Sequence, residues 1–381
     1  MKFVIAPDKY KGSLTGVQFC EAVERGIGRV FPKAQILKKP LADGGDGTLE
    51  VVQDYLKATQ EKTKVKDPLF RDINAGYLLS QDKQNAYIEM SEASGYKLLR
   101  KNEMNCMHTT TLGTGQLLLD AIQKGAQHII LGIGGSATND CGMGMASALG
   151  YKFLDADGNQ LQPVGKNLVH AHKIVDDETS PLLEKIQVKV ACDVNNPLYG
   201  KNGAAHVYAA QKGASPEEIE ILDQGLENFA KVLQSHFGKD VRDVPGAGAA
   251  GGMGAGAMTF FLNAQLVSGV DLVLEMADFD LALKDANWVI TGEGQLDHQT
   301  AAGKTIAGVV KMAKAHQIPV AALCGSVNAS IQQIKEMGLD YAVSVLNQVG
   351  NLEDAKANSF SNLEQASFNF AQLIKRSRNV R

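Results

Sequence analysis

Short apolar runs alternate with helix-spaced segments at both ends of the chain. Lys2-Phe-Val-Ile-Ala6 reads as a strand buried on both faces, because a continuous apolar run leaves no polar side for solvent. Thr15 and Gln18 stand at capping-box spacing, and Val17, Val23, Ile27 and Val30 follow as the apolar positions of a predicted helix. A second strand is predicted over 34–39 and a second helix over 48–57. The C-terminal part has the same pattern, with strands over 287–291, 319–323 and 341–346. Helices are predicted there over 305–315 and 329–337, and an amphipathic helix over 361–375 closes the chain. Strand, loop and helix in repetition predict a parallel α/β sheet.

The middle of the chain differs. Residues 63–90 carry alternating strands such as Ala86-Tyr-Ile-Glu-Met90, and glycine-rich loops follow near 131–144, 193–205 and 245–256. The expected fold class is therefore α/β with two domains. One is discontinuous, built from 1–62 and 285–381; the other is a mixed α/β domain inserted over 63–284, and a pocket is expected at their interface. A length of 381 residues suits two cores.

Composition narrows the function. A net charge of -4 without a basic stripe argues against a nucleic-acid partner and gives no reason to expect a membrane surface. The stretch Val244 to Val270 is uncharged, but its hydropathy is weak and it is too rich in glycine for a spanning helix. Five scattered cysteines and no apolar leader after Met1 fit a reducing cytoplasm. The histidines have no zinc-site spacing, and His170 with His172 reads as surface. The 39 glycines exceed the usual share of about 7% and cluster beside polar residues, as in site loops.

Five tracts carry candidate chemistry. Leu131-Gly-Ile-Gly-Gly-Ser-Ala-Thr-Asn-Asp140 follows a β-prone run. Gly132, Gly134 and Gly135 leave backbone N–H groups uncovered where a helix is expected to begin, which suits a phosphate, and Ser136 and Thr138 add hydroxyls. Asp140 reads either as a metal ligand or as a cap. Asp8-Lys-Tyr-Lys11-Gly-Ser13 follows the first strand, where open α/β sheets bind ligands. Asp43-Gly-Gly-Asp46 sets two carboxylates at the end of the second strand, for Mg²⁺ or substrate hydroxyls, or for a plain turn and helix start. Cys192-Asp193-Val-Asn195-Asn-Pro197 suits general-base work at Asp193, or an Asx turn. Thr291-Gly-Glu293-Gly-Gln-Leu-Asp297 again joins glycine to acid, and Lys304 heads the next helix. Lys212 and Lys201 supply positive charge nearby if their loops fold back. Gly246–Gly256 has no Walker sequence, so it either wraps a nucleotide or packs a tight helix. Together these residues point to Mg²⁺-assisted phosphoryl transfer from ATP to a small hydroxylated acceptor, chemistry that needs mainly positioning and charge neutralisation.

The tracts resemble those of the type-one bacterial glycerate kinases, in the same order from Ala6 to about Gly325. The resemblance rests on 6–13, 41–48, 132–140, 192–198, Gln211-Lys-Gly-Ala214, 246–252 and Thr291-Gly-Glu-Gly294. It implies ATP- and Mg²⁺-dependent phosphorylation of D-glycerate, more in keeping with 2-phosphoglycerate than with 3-phosphoglycerate as product. It also implies a Rossmann- or flavodoxin-like domain and a site in the cleft between two domains. On this basis Asp193, Lys11 and Asp8 are candidate catalytic residues, with Asp193 as base and Lys11 on the glycerate carboxylate. Asp43, Asp46, Ser13 and Asn195 are candidates for substrate. Gly132, Gly134, Gly135, Ser136, Thr138, Glu293 and Lys304 are candidates for ATP, and Asp140 and Asp193 for Mg²⁺. Lys9-Tyr10 stand where the family often has Ser-Phe, Asp46 where Glu is common, and Cys141 where glycine is frequent. The rivals are a kinase for another small hydroxy acid or sugar acid, since the glycine-serine loop also resembles that of GHMP kinases, and a binding protein without turnover. Homodimerisation is left open.

Overall fold

The computed structural model describes residues 1–10, 12–42, 48–297 and 304–378, the side chains of Lys304 and Arg378 excepted. The chain forms two compact units, 1–55 with 269–381, and 56–268.

The first unit holds a five-stranded, wholly parallel sheet. Its strands, in spatial order, are Tyr341–Ser344, Val320–Cys324, Trp288–Thr291, Lys2–Ile5 and Gln35–Lys38. Numbered along this unit, the order is 2-1-3-4-5, so the connections reverse direction between Lys2–Ile5 and Trp288–Thr291. Both faces are covered: Phe3 and Ile5 join the core that includes Phe19, Val23 and Phe370, while Val4 and Ala6 join the one that includes Val270, Val309 and Leu283. That two-sided burial is why these strands are apolar throughout.

The helix Gly16–Gly28 starts as its sequence predicts. The Thr15 hydroxyl accepts from the Gln18 N–H at 3.1 Å, and the Gln18 side chain accepts from the Thr15 N–H at 3.0 Å. Thr15→Ala is expected to cost about 1 kcal/mol, read as a lower denaturation midpoint at unchanged m-value. Val17 departs from expectation and is exposed, because Phe19, Cys20, Val23 and Ile27 make up the buried stripe and Val17 lies off it.

The second unit is built on a six-stranded mixed sheet. Asn263–Val267, Gln187–Ala191, His128–Gly132 and Asn85–Glu89 run parallel; Asp72–Ser80 and Ala58–Lys66 continue it antiparallel. The break after 55 places the whole Ala58–Lys66 strand with its hairpin partner Asp72–Ser80. The break before 269 places Gly269–Met276 and Phe279–Leu283 in the first unit, where Val270, Val273, Leu274 and Phe279 enter its core.

Two glycine tracts fold differently from the simplest expectation. No helix begins at Gly132–Gly135. The chain runs on as a turn and extended segment, and the helix Met143–Ala148 starts only after the left-handed Cys141 and Gly142. The tract 246–256 is buried and packs into the helix Ala249–Phe260, with left-handed backbone at Ala250, Gly251 and Gly252. A Cβ at Gly251 would lie 2.1 Å from the Thr138 carbonyl oxygen, so this glycine allows close packing beneath the 131–140 tract. Among the described residues no helix is long and apolar enough to cross a membrane.

Candidate functional site

In the second unit the parallel register aligns Glu89, Gly132, Ala191 and Val267 at one edge of the sheet. The loops that leave this edge therefore include the glycine tract after Gly132 and the segment with Asp193 and Asn195. Gly134 and Gly135 are exposed at the turn. A Cβ at Gly134 would meet nothing within 4 Å, and Gly135 is left-handed at φ 69°. This is the open part of the loop, and its backbone is uncovered as a phosphate cradle requires.

The other predicted members of the loop point elsewhere. At Gly132 a Cβ would come within 2.4 Å of the Glu89 carboxylate, so this glycine makes room for an acid. Thr138 is fully buried, and among the described residues its hydroxyl has no hydrogen-bond partner. Asp140, 1% exposed, accepts through Oδ2 from the Thr111 N–H at 2.8 Å, the Thr111 hydroxyl at 2.8 Å and the Gly144 N–H at 3.1 Å. It thus ties two stretches of backbone together, and burial pushes its carboxyl up. Among the described residues its Oδ1 has no hydrogen-bond partner. That orphaned oxygen fits a cation, and Mg²⁺ needs only one or two protein carboxylates when phosphates and water supply the rest. Among the described residues no group of three or more His, Cys, Asp or Glu forms a dedicated metal cage.

Glu89 has no site role in the sequence analysis, and Lys212 enters it only as positive charge nearby if its loop folds back. Glu89 closes its strand, half-buried, with the Tyr87 hydroxyl donating to its Oε1, and burial pushes its carboxyl up. Its signal in the sequence is an acid within an otherwise apolar alternation. Lys212 is 5% exposed, and its Nζ donates to Ser136 Oγ and to the Thr138 carbonyl, each at 2.7 Å. Burial pushes its ammonium down to about 8, while the nearby Cys106 and Asp140 act the other way. A π-helical turn at Ala205–Ala209, a 3₁₀ turn at Ala210–Lys212 and the left-handed Gly213 deliver it. A Cβ at Gly213 would fall 1.9 Å from the Met104 carbonyl oxygen, so glycine is required there.

Asp193 and Asn195 are exposed beyond the strand Gln187–Ala191. Their segment is anchored at Asn196, which accepts from the Tyr208 hydroxyl at 2.6 Å and donates to the Asn202 carbonyl at 2.9 Å.

In the first unit Asp8, Gly292 and Thr305 meet where the strand order reverses. The Asp8 N–H donates to the Gly292 carbonyl at 2.9 Å, and Asp8 Oδ2 accepts from the Thr305 hydroxyl at 2.9 Å. Glu293 follows directly, half-buried, its carbonyl accepting from the Gly325 N–H at 3.1 Å. Gln295–Leu296 is no longer loop but pairs with Ser326–Val327 in a short parallel ladder. The Ser13 hydroxyl donates to Ser359 Oγ in the C-terminal region at 2.7 Å. Lys11, Asp43, Asp46 and the Lys304 side chain lie outside the described residues.

Comparison with known proteins agrees across the chain. Residues 3–375 match the model of the Glycerate kinase family. A glycerate kinase of Halalkalibacterium halodurans is 45% identical over 97% of both chains, and the glycerate 2-kinase of Escherichia coli is 42% identical over 98% of both. A crystal structure from Salmonella typhimurium LT2, assigned provisionally as glycerate kinase 2, superposes with a TM-score of 0.87 at 41% identity, covering 100% of this chain and 99% of the other. The match includes the glycine loop and the Asp193 segment alike, and the chain belongs to the glycerate kinase family, enzymes that transfer phosphate to an alcohol group.

Proposed function

We propose that this enzyme phosphorylates D-glycerate at its 2-hydroxyl, using ATP and Mg²⁺ and releasing ADP. The observation that carries the reading is the exposed Gly134–Gly135 turn, backed by Lys212 through Ser136 and leaving the same sheet edge as the Asp193 segment. An anion site and a carboxylate base are the two parts that phosphoryl transfer to an alcohol needs from a protein. In this reading the first unit is the flavodoxin-like domain and the second its insert.

Asp193 takes the proton of the attacking hydroxyl. The hydroxyl oxygen then bonds to the γ-phosphorus as the bond from that phosphorus to the β–γ bridging oxygen breaks, and ADP leaves with the electron pair. The 132–136 loop and Lys304 hold the ATP phosphates, with Glu293 on the nucleotide side. Lys11 holds the glycerate carboxylate, with Asp8, Ser13 and Asn195 beside the substrate. Asp43, Asp46 and Asp140 are the candidate Mg²⁺ or hydroxyl ligands, Asp140 through its orphaned Oδ1. Magnesium, when bound, offsets charge on the phosphate oxygens. The name of the Escherichia coli relative, glycerate 2-kinase, supports the regiochemistry.

The test is ADP release with Mg²⁺-ATP and D-glycerate, with the product identified by ³¹P NMR. A 2-phosphoglycerate resonance is expected. A 3-phosphoglycerate resonance overturns the regiochemistry, and no turnover by a folded, ATP-binding sample moves the acceptor to another hydroxy acid.

A further inference from the structure

A buried ammonium costs several kcal/mol to desolvate and persists where it holds something in place. Lys212 is 5% exposed, and its two acceptors, Ser136 Oγ and the Thr138 carbonyl, lie in the tract that follows the open glycine turn. Ammonium only donates, so the bond to Ser136 Oγ occupies a lone pair of the hydroxyl and forces its proton to point away from Lys212. Among the described residues that Ser136 proton has no acceptor, although Ser136 is only 7% exposed. A buried hydroxyl proton without an acceptor is an incomplete arrangement, and an anion at Gly134–Gly135 would complete it.

We infer that Lys212 is a positioning residue that acts through Ser136, holding the Ser136 hydroxyl as a donor to the phosphate bound by the glycine turn. The inference rests on the reading of the 132–136 loop as the ATP phosphate site. One feature sets it apart from a merely structural lysine. The bond to the Thr138 carbonyl pins the backbone of the loop, but the bond to Ser136 Oγ selects which way a proton points. A residue that only supports the fold has no reason to depend on Ser136 for its effect on a ligand.

The experiment is a double-mutant cycle on the full-length enzyme, with Ser136→Ala, Lys212→Gln and both together, reading kcat and the KM values for Mg²⁺-ATP and D-glycerate. Lys212→Gln keeps an N–H donor but loses the charge, and an amide can also turn its oxygen to accept from Ser136. Lys212→Met removes both charge and donor, and it serves as the second variant should Lys212→Gln melt below the assay temperature. Each single variant is expected to raise the ATP KM by about tenfold. The double variant is expected to be no worse than the weaker-binding single, because the two changes remove one arrangement.

Effects that multiply, or a lysine variant with unchanged KM values beside an impaired Ser136→Ala, overturn the inference and leave the loop as the ATP site. The same non-additivity seen in the D-glycerate KM, with the ATP KM unmoved, keeps the coupling of Lys212 to Ser136 but overturns the inference, because the loop then holds the other substrate and not a phosphate. Loss of melting temperature in the lysine variants with ATP KM unmoved makes Lys212 structural and also overturns the inference.

Discussion

Asp193→Asn is expected to lower kcat by about 10²–10⁴-fold while the KM values for ATP and D-glycerate change little. The amide is nearly isosteric with the carboxylate, so the exposed segment after the strand Gln187–Ala191 keeps its shape, and its anchor at Asn196 is untouched. What is lost is the ability to take a proton at neutral pH. A base acts only as the hydroxyl oxygen begins to bond to phosphorus, so its removal is felt in the transition state and not in the ground-state complex. Steady-state kinetics with separate saturation of both substrates reads this split. Near-normal turnover removes Asp193 as the base. A rise in the D-glycerate KM with kcat preserved makes it a substrate-binding residue. The half-buried Glu89, at the same sheet edge, is the carboxylate to change next in that event.

The parts of this molecule legible in its sequence are those governed by neighbours along the chain. The Thr15–Gln18 box is such a case, since both of its hydrogen bonds close within one helical turn. The apolar strands of the first unit are another, because a strand covered on both faces carries its burial in its own residues. The loop after Gly132 was legible as a glycine-rich tract, but the reason for each glycine was not. Gly132 gives way to a carboxylate on the neighbouring strand, and Gly251 to a carbonyl more than a hundred residues away in the chain, neither of which local pattern can show. The helix expected at Gly132–Gly135 starts at Met143 for the same reason. The intervening residues are committed to distant partners, Ala137 to the Ser94 carbonyl and Cys141 to the Gly251 carbonyl. Along the sequence Lys212 is only a positive charge whose distance from the glycine tract depends on how its loop folds. Its place depends on a π-helical turn and one close glycine contact, which no spacing rule announces.

Asp140 is where fold and chemistry are hardest to separate, and two substitutions divide them. Asp140→Ala is expected to cost about 3–6 kcal/mol, because it leaves the Thr111 N–H, the Gly144 N–H and the Thr111 hydroxyl without the acceptor they share in a site that is 1% exposed. Part of that loss is offset by relief of a carboxylate that burial already disfavours. Asp140→Asn behaves differently. Its amide oxygen can keep the three donors now on Oδ2, and its NH₂ group replaces Oδ1, the atom with no hydrogen-bond partner among the described residues. The fold should then lose about 1–3 kcal/mol, the cost of a buried NH₂ group without an acceptor, which is less than for Asp140→Ala. A metal ligand cannot be replaced in this way, since an NH₂ group directed at Mg²⁺ offers it no lone pair. Chemical denaturation and the Mg²⁺ dependence of turnover, measured on the same Asp140→Asn sample, therefore report two separate properties. A stable variant whose half-saturating Mg²⁺ rises by about tenfold or more places Asp140 on the metal. A stable variant with unchanged Mg²⁺ dependence confines Asp140 to joining the 111 and 144 backbones, and Asp43 and Asp46 become the acids to test.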